Sequence, residues 1–161
     1  MSDLLELIRT LPKAELHLHI EGTLEPEMMM ELAVKHAIKV PYNSVEEVKK
    51  AYSFKNLQDF LDLYYLGASV LRDEDDFYHL MTAYLERCHE QGIVHAEMMF
   101  DPQTHMSRGI DFPVFMAGFE HACHEAADKW GLSTHLIMCF LRHLDAASAM
   151  ETLAAEIGRA H

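Results

Sequence analysis

Leu11-Pro-Lys-Ala-Glu-Leu-His-Leu-His-Ile-Glu-Gly22 is the stretch that decides how the rest of this chain is read. Ala14 to Ile20 reads as a strand. Its side chains alternate between faces, so Glu15, His17 and His19 are expected on one side and Leu16, Leu18 and Ile20 on the other. Two imidazoles held side by side on a stiff support have the spacing that a divalent metal needs from two of its ligands, and neutral imidazole nitrogen is a common zinc ligand. The apolar opposite face suits a strand whose back is covered by helices. A bare His-x-His is also found at ordinary surfaces and in cores, so its context has to decide.

Composition sets the frame. The chain has 161 residues, half of them hydrophobic, about a quarter charged and 12 of them histidine. That is enough for one sizeable core in a soluble globular protein. A formal net charge of −13 would repel nucleic acid and anionic membranes, and favours a small-molecule substrate. Cys88, Cys123 and Cys139 are an odd number and form no Cys-x-x-Cys, so neither a disulfide framework nor a thiolate zinc site is expected. A reducing cytoplasm is the expected location. No apolar run approaches the ~20 residues that span a bilayer, and Met1-Ser-Asp-Leu-Leu-Glu lacks the basic start of a signal peptide.

The opening stretch, extended through Thr23-Leu24, resembles the start of the adenosine and adenine deaminase family, zinc hydrolases on a (β/α)8 barrel. The likeness continues through Tyr52-Ser-Phe-Lys-Asn-Leu-Gln-Asp-Phe-Leu-Asp-Leu-Tyr64, Val94-His-Ala-Glu-Met-Met-Phe-Asp-Pro-Gln-Thr-His105 and Cys139-Phe-Leu-Arg-His143. These segments are most similar to the branch acting on free adenine. The resemblance implies that His17 and His19 are metal ligands on the first barrel strand. It implies that Leu57, Phe60, Leu61 and Tyr64 wall a purine pocket, and that Glu21 either touches substrate or orders the Gly22 turn, the second being favoured. The family's later His-Ala-Gly-Glu and Ser-x-x-Asp-Asp-Pro-like motifs do not occur in these 161 residues. The third histidine ligand, the acidic glutamate, the catalytic histidine and the final aspartate are therefore expected beyond residue 161. A complete barrel takes ~250 residues. The expected fold is thus the N-terminal half of a TIM barrel, an α/β arrangement of about three parallel strands in a single partial domain over 1–161.

The chain in order fits that frame. Leu4 to Thr10 reads as a helix stopped by Pro12, with Leu4, Leu5 and Ile8 capping the bottom of a barrel. Thr23 is the expected N-cap of a helix running to about His36, in which Met28-Met29-Met30 serves packing. Ser44 and Glu47 read as a capping box for a helix through Ala51. Leu57, Phe60, Leu61, Tyr64 and Tyr65 recur at helical spacing between Asn56 and Leu71. A helix follows from Asp73 to Gln91, acidic at its start and stopped by Gly92. Ile93 to Phe100 is the second strand, with His95 and Glu97 on one face and a turn at Asp101-Pro102. His105 is expected as a residue of the barrel rim rather than a ligand. Phe112 to Lys129 is a helix, Ser133 to Leu141 the third strand, and Ala146 to Gly158 a helix with Met150, Leu153 and Ile157 as its apolar stripe. Glu97 and Arg142 are expected to face each other as opposite charges. Helices between strands imply parallel pairing with right-handed crossovers.

The implied chemistry is hydrolytic deamination of adenine to hypoxanthine in purine salvage, with zinc activating water for attack on C6 and a carboxylic acid protonating the neighbouring ring nitrogen. With two of the metal ligands and none of the catalytic groups, these residues are expected to be inactive alone. Other readings are adenosine as substrate, a different His-x-His metal hydrolase, or a non-catalytic fragment that folds by self-association through its open sheet edges. The cytidine and transfer-RNA deaminase class is excluded, because its His-x-Glu and Pro-Cys-x-x-Cys signature is missing.

Overall fold

A computed structural model describes residues 2–157. Three parallel strands, β1 (Lys13–His19), β2 (Ile93–Phe100) and β3 (Ser133–Met138), lie in the order β1-β2-β3. Eight helices connect and cover them among the described residues: α1 (Ser2–Thr10), α2 (Pro26–Lys35), α3 (Val45–Ala51), α4 (Leu57–Ser69), α5 (Glu74–Glu90), α6 (Pro102–Met106), α7 (Phe112–Trp130) and α8 (Ala146–Ile157). The β-helix-β order forces parallel strands with crossovers, the first of which carries α2 to α5.

The core forms where β2 meets α5 and α7. Along β2, Ala96, Met98 and Phe100 are buried and point to the helices, while His95 and Glu97 alternate to the other face. Phe77, Leu80, Met81 and Leu85 of α5 and Phe115 and Phe119 of α7 complete this layer. At Gly118 the two helices approach so closely that a Cβ would lie 2.5 Å from Glu74 O and 2.7 Å from Tyr78 N, so only glycine fits. Helix α5 starts on a capping box in which Asp73 and Asp76 satisfy each other's backbone N–H groups. Asp76 is fully buried there and also accepts from Lys35 Nζ at 2.7 Å.

Several local expectations are corrected. β1 carries an irregularity between Glu15 and Leu18, so that Leu16 and His17 together oppose Glu97 of β2. The extra residue reverses the alternation, which puts Glu15 on the helix side, where it accepts from Tyr84 Oη at 3.1 Å instead of joining the histidines. Leu16 is left 55% exposed. The α2 helix begins at Pro26 rather than after Thr23, because proline needs no N–H partner at N1 and Thr23 spends its hydroxyl on Ile20 O in a 3₁₀ turn. Ser44 caps α3 as expected, but the Glu47 carboxylate bonds Asn43 N instead of closing the box on Ser44. Asp101-Pro102 is the start of α6, with Pro102 at its first turn, and β3 ends at Met138, three residues early.

Helix α1 forms, yet Leu4, Leu5 and Ile8 are 62%, 57% and 49% exposed, since three strands offer no closed floor for them to cover. Along α8 the inward side is Ser148, Thr152 and Ala155, with Met150 turned to solvent. The side chain of Ile157 and the expected end at Gly158 lie outside the described residues. Met29 is buried and Met28 and Met30 pack against the core, in line with a packing role. Glu97 pairs with His95, Nε2 to Oε1 3.6 Å, and no ion pair with Arg142 occurs among the described residues.

Candidate active site

The C-terminal ends of the three strands converge on one cleft of about 1060 Å³. His17 and His19 come from the end of β1, Asp101 from the residue after β2, and Cys139, Phe140, Arg142 and His143 from the segment after β3. This is the end at which parallel α/β folds place their chemistry, because the loops there are free to vary while the strands fix the bases of the side chains. The other wall is α4: Leu57, Phe60, Leu61 and Tyr64 lie at i, i+3, i+4 and i+7 and face the cleft together. Leu57 is 70% and Phe60 40% exposed, so these side chains are not simply packing the helix down. Phe60 and Tyr64, with ring centres 5.9 Å apart, extend into an aromatic run with Tyr65.

The His17 and His19 ring centres are 6.4 Å apart, tilted by 48°. Among the described residues neither ring nitrogen of His17, nor Nε2 of His19, has a hydrogen-bond partner. His19 Nδ1 instead lies 3.3 Å from Asp101 Oδ2. Imidazole nitrogens without protein partners at the lip of a cleft, one ring already held from behind by a carboxylate, suit two positions of a zinc shell. Cys139 offers its sulfur close to His19 and Asp101 as a third atom. Burial and the charges of Asp101 and Glu21 raise its pKa, however, which works against the thiolate that zinc requires.

Behind the cleft stands a buried polar string that reading the sequence missed. Glu21, 2% exposed, accepts from Asp101 N at 2.9 Å and from His105 Nε2 at 2.9 Å, while the Tyr64 hydroxyl, 3.2 Å away, gives its one proton to the nearer Asp101 Oδ2 at 2.7 Å. It therefore organises the turn and does not open onto the cleft. Burial pushes its carboxyl up, but the His105 and Asp101 hydrogen bonds outweigh that and hold it below the usual carboxylate range. Asp101 is moved the other way, raised by burial and by the charge of Glu21 against the opposing bonds from Tyr64 and His19. Burial and the same two carboxylates push the Tyr64 hydroxyl far up, keeping it a proton donor.

His105 is not on the rim. It is fully buried, with Phe77 edge-on at 4.8 Å and Phe115 at 5.2 Å. Arg108 Nη2 lies 2.8 Å from its Nδ1, and because guanidinium can only donate, that nitrogen must carry the lone pair and Nε2 the proton. Burial and Arg72 lower Arg108 to about 10, which leaves it charged at neutral pH. The signal that would have found Asp101 is positional: it directly follows a barrel strand at its C-terminal end.

A family model described as adenosine deaminase matches residues 12–160. The chain belongs to the adenosine deaminase family. An adenine deaminase of Acinetobacter baylyi is 59% identical over 148 residues, which are 92% of this chain and 45% of that protein. One from Wolinella succinogenes is 56% identical over 157 residues, 98% of this chain and 47% of its own length. The crystal structure of an adenine deaminase from Arthrobacter aurescens superposes with a TM-score of 0.88 at 45% identity, covering 92% of this chain and 45% of that one. An amidohydrolase of Burkholderia ambifaria solved with bound zinc shares the fold, with a TM-score of 0.82 at 21% identity and coverage of 95% of this chain and 42% of its own. This deaminase-family chain thus spans about half the length of the relatives it matches. No helix among its described residues is long and apolar enough to cross a membrane.

Proposed function

We propose that this chain supplies two zinc ligands, His17 and His19, and the α4 wall of the purine pocket to an adenine deaminase that converts adenine to hypoxanthine and ammonia. The observation that carries the reading is the pair of imidazoles, each with a ring nitrogen free of protein partners among the described residues, facing an apolar, aromatic wall across one cleft. Relatives named adenine deaminase, more than half identical to this chain, support the choice of substrate. When bound, zinc supplies Lewis-acid activation of water for the hydrolytic step.

The chain's own residues bind and orient. Phe60 and Tyr64 offer flat faces to a planar base, and Leu57 and Leu61 keep water from its edge. Glu21 and Tyr64 are satisfied by protein partners, so neither is free to bind a sugar hydroxyl, which favours a free base over a nucleoside. Among the described residues Asp101 is the one acid lining the cleft, and it is committed to His19 and Tyr64. Protonation of the purine ring then falls to a group outside this set, and residues 1–161 alone are inactive in this reading. The exposed sides of β1 and β3 are the edges through which they would associate with further chain.

The test is ammonia release from adenine and from adenosine, with zinc supplied, by residues 1–161 and by any longer reading frame that contains them. Zinc-dependent turnover of adenine by the longer protein, and none by 1–161, is expected. Adenosine as the better substrate would overturn the choice of base, and turnover by 1–161 would overturn the division of labour.

A further inference from the structure

The two histidines are not equivalent. His17 has no hydrogen bond among the described residues, whereas His19 is backed by Asp101, with Nδ1 to Oδ2 3.3 Å. We infer that Asp101 is the positioning residue that fixes the tautomer and ring orientation of His19, and that Tyr64, Glu21, His105 and Arg108 hold Asp101 in place. The inference rests on the zinc reading for its purpose but not for its geometry.

The direction of the bonds from Arg108 to Glu21 follows from groups that can only donate, the guanidinium and the Asp101 N–H. Arg108 is anchored on three carbonyls, those of Ser69, Leu71 and Thr104, at 3.1, 3.0 and 3.0 Å, and an N–H of its Nη2 faces His105 Nδ1. His105 must therefore donate from Nε2, and Glu21 Oε1 accepts at 2.9 Å. The same Oε1 accepts from Asp101 N, which fixes the Asp101 backbone. The Tyr64 hydroxyl donates to Asp101 Oδ2 at 2.7 Å and pins its side chain. Oδ2 also faces His19 Nδ1 at 3.3 Å, an ion-pair contact from which we place the His19 proton on Nδ1. The lone pair is then on Nε2, the nitrogen left free for a metal. Outer partners of this kind typically change metal affinity 10- to 100-fold. The string also accounts for a buried carboxylate and imidazole and a half-buried guanidinium that binding substrate does not use.

Two readouts on chain 1–161 test this, one of which needs no metal. Nitrogen-15 spectra of histidine-labelled protein at pH 8 should show His19 as the Nδ1–H tautomer, the minority form of free imidazole side chains. Asp101→Ala should shift it toward Nε2–H, and Asp101→Asn, which keeps an oxygen acceptor, should preserve it. Zinc affinity, measured by competition with a chromophoric chelator, should fall about 10- to 100-fold in Asp101→Ala and less in Asp101→Asn. Near-ultraviolet dichroism checks that each variant stays folded. If Asp101→Ala does not fold, Tyr64→Phe, which removes only the pinning hydroxyl, should still weaken zinc several-fold. An Nε2–H tautomer in the unsubstituted chain, or a tautomer and zinc affinity unchanged in Asp101→Ala, overturns the inference. The expected tautomer without zinc uptake at His17 and His19 would support the positioning role and defeat the zinc reading instead.

Discussion

The sheet has two faces that were built under different rules. The outer face, against α5 and α7, is closed by Ala96, Met98 and Phe100 meeting Phe77, Phe115 and Phe119, all of them almost wholly buried. The inner face carries His17, His19, His95, Glu97 and His135, which remain partly or largely open to solvent. The core lies on the outer face, and the residues proposed for the chemistry lie on the inner one. The contrast shows why a family can keep one packing layer while loops and inward side chains define the reaction.

If that division is right, the largest losses come from the outer face. Phe77→Ala should cost about 3–5 kcal/mol in urea unfolding, because a ring in contact with Phe115, Phe119 and His105 is replaced by a cavity. Gly118→Ala should cost about 3 kcal/mol, since the atoms in the way are α5 backbone and the helices must separate. A loss under about 0.5 kcal/mol for either would mean that the α5–α7 contact is not what holds the fold.

Acid should act next, through buried carboxylates that serve the outer layer. Burial raises Asp76, but bonds from Lys35 and the Arg72 and Asp73 N–H groups outweigh it and hold it low, as those from His105 and Asp101 hold Glu21 low. Both are more acidic folded than unfolded. Their contribution is therefore complete above the unfolded carboxyl range near ~4 and is lost as pH falls through and below it. Asp101, shifted upward, acts in the opposite sense. Asp76→Asn should be about 1–3 kcal/mol less stable than the parent at pH 7, with the gap narrowing toward pH 3. A gap independent of pH would show that the charge of Asp76 contributes nothing.

The smallest effects are expected on the inner face. His95→Ala and Glu97→Ala together should change stability by no more than about 0.5 kcal/mol, because a partly exposed pair at 3.6 Å contributes little. A loss above 2 kcal/mol would mean that the inner face also carries structure.

These two faces were not equally legible. On β2 the alternation of His95 and Glu97 with Ala96, Met98 and Phe100 is written in period two, and α5 announces its limits with Asp73 and Gly92. The placing of His17 and His19 side by side was legible because both lie on one strand. The position of Glu15 was not, since the irregularity that turns it outward depends on how β1 pairs with a strand some 80 residues later. Nor was the burial of Glu21, whose partner His105 is 84 residues away. A carboxylate and a histidine so far apart give no local periodic signal, and their most economical separate readings were turn residue and rim residue.

The central claim is that the open face carries a metal pair, and zinc stoichiometry tests it most directly. After chelator treatment and equilibrium dialysis at neutral pH, metal analysis of chain 1–161 should show specific zinc uptake that disappears in the His17→Ala, His19→Ala double variant with the near-ultraviolet dichroism unchanged. Equal zinc per chain in the parent and the double variant would contradict the account.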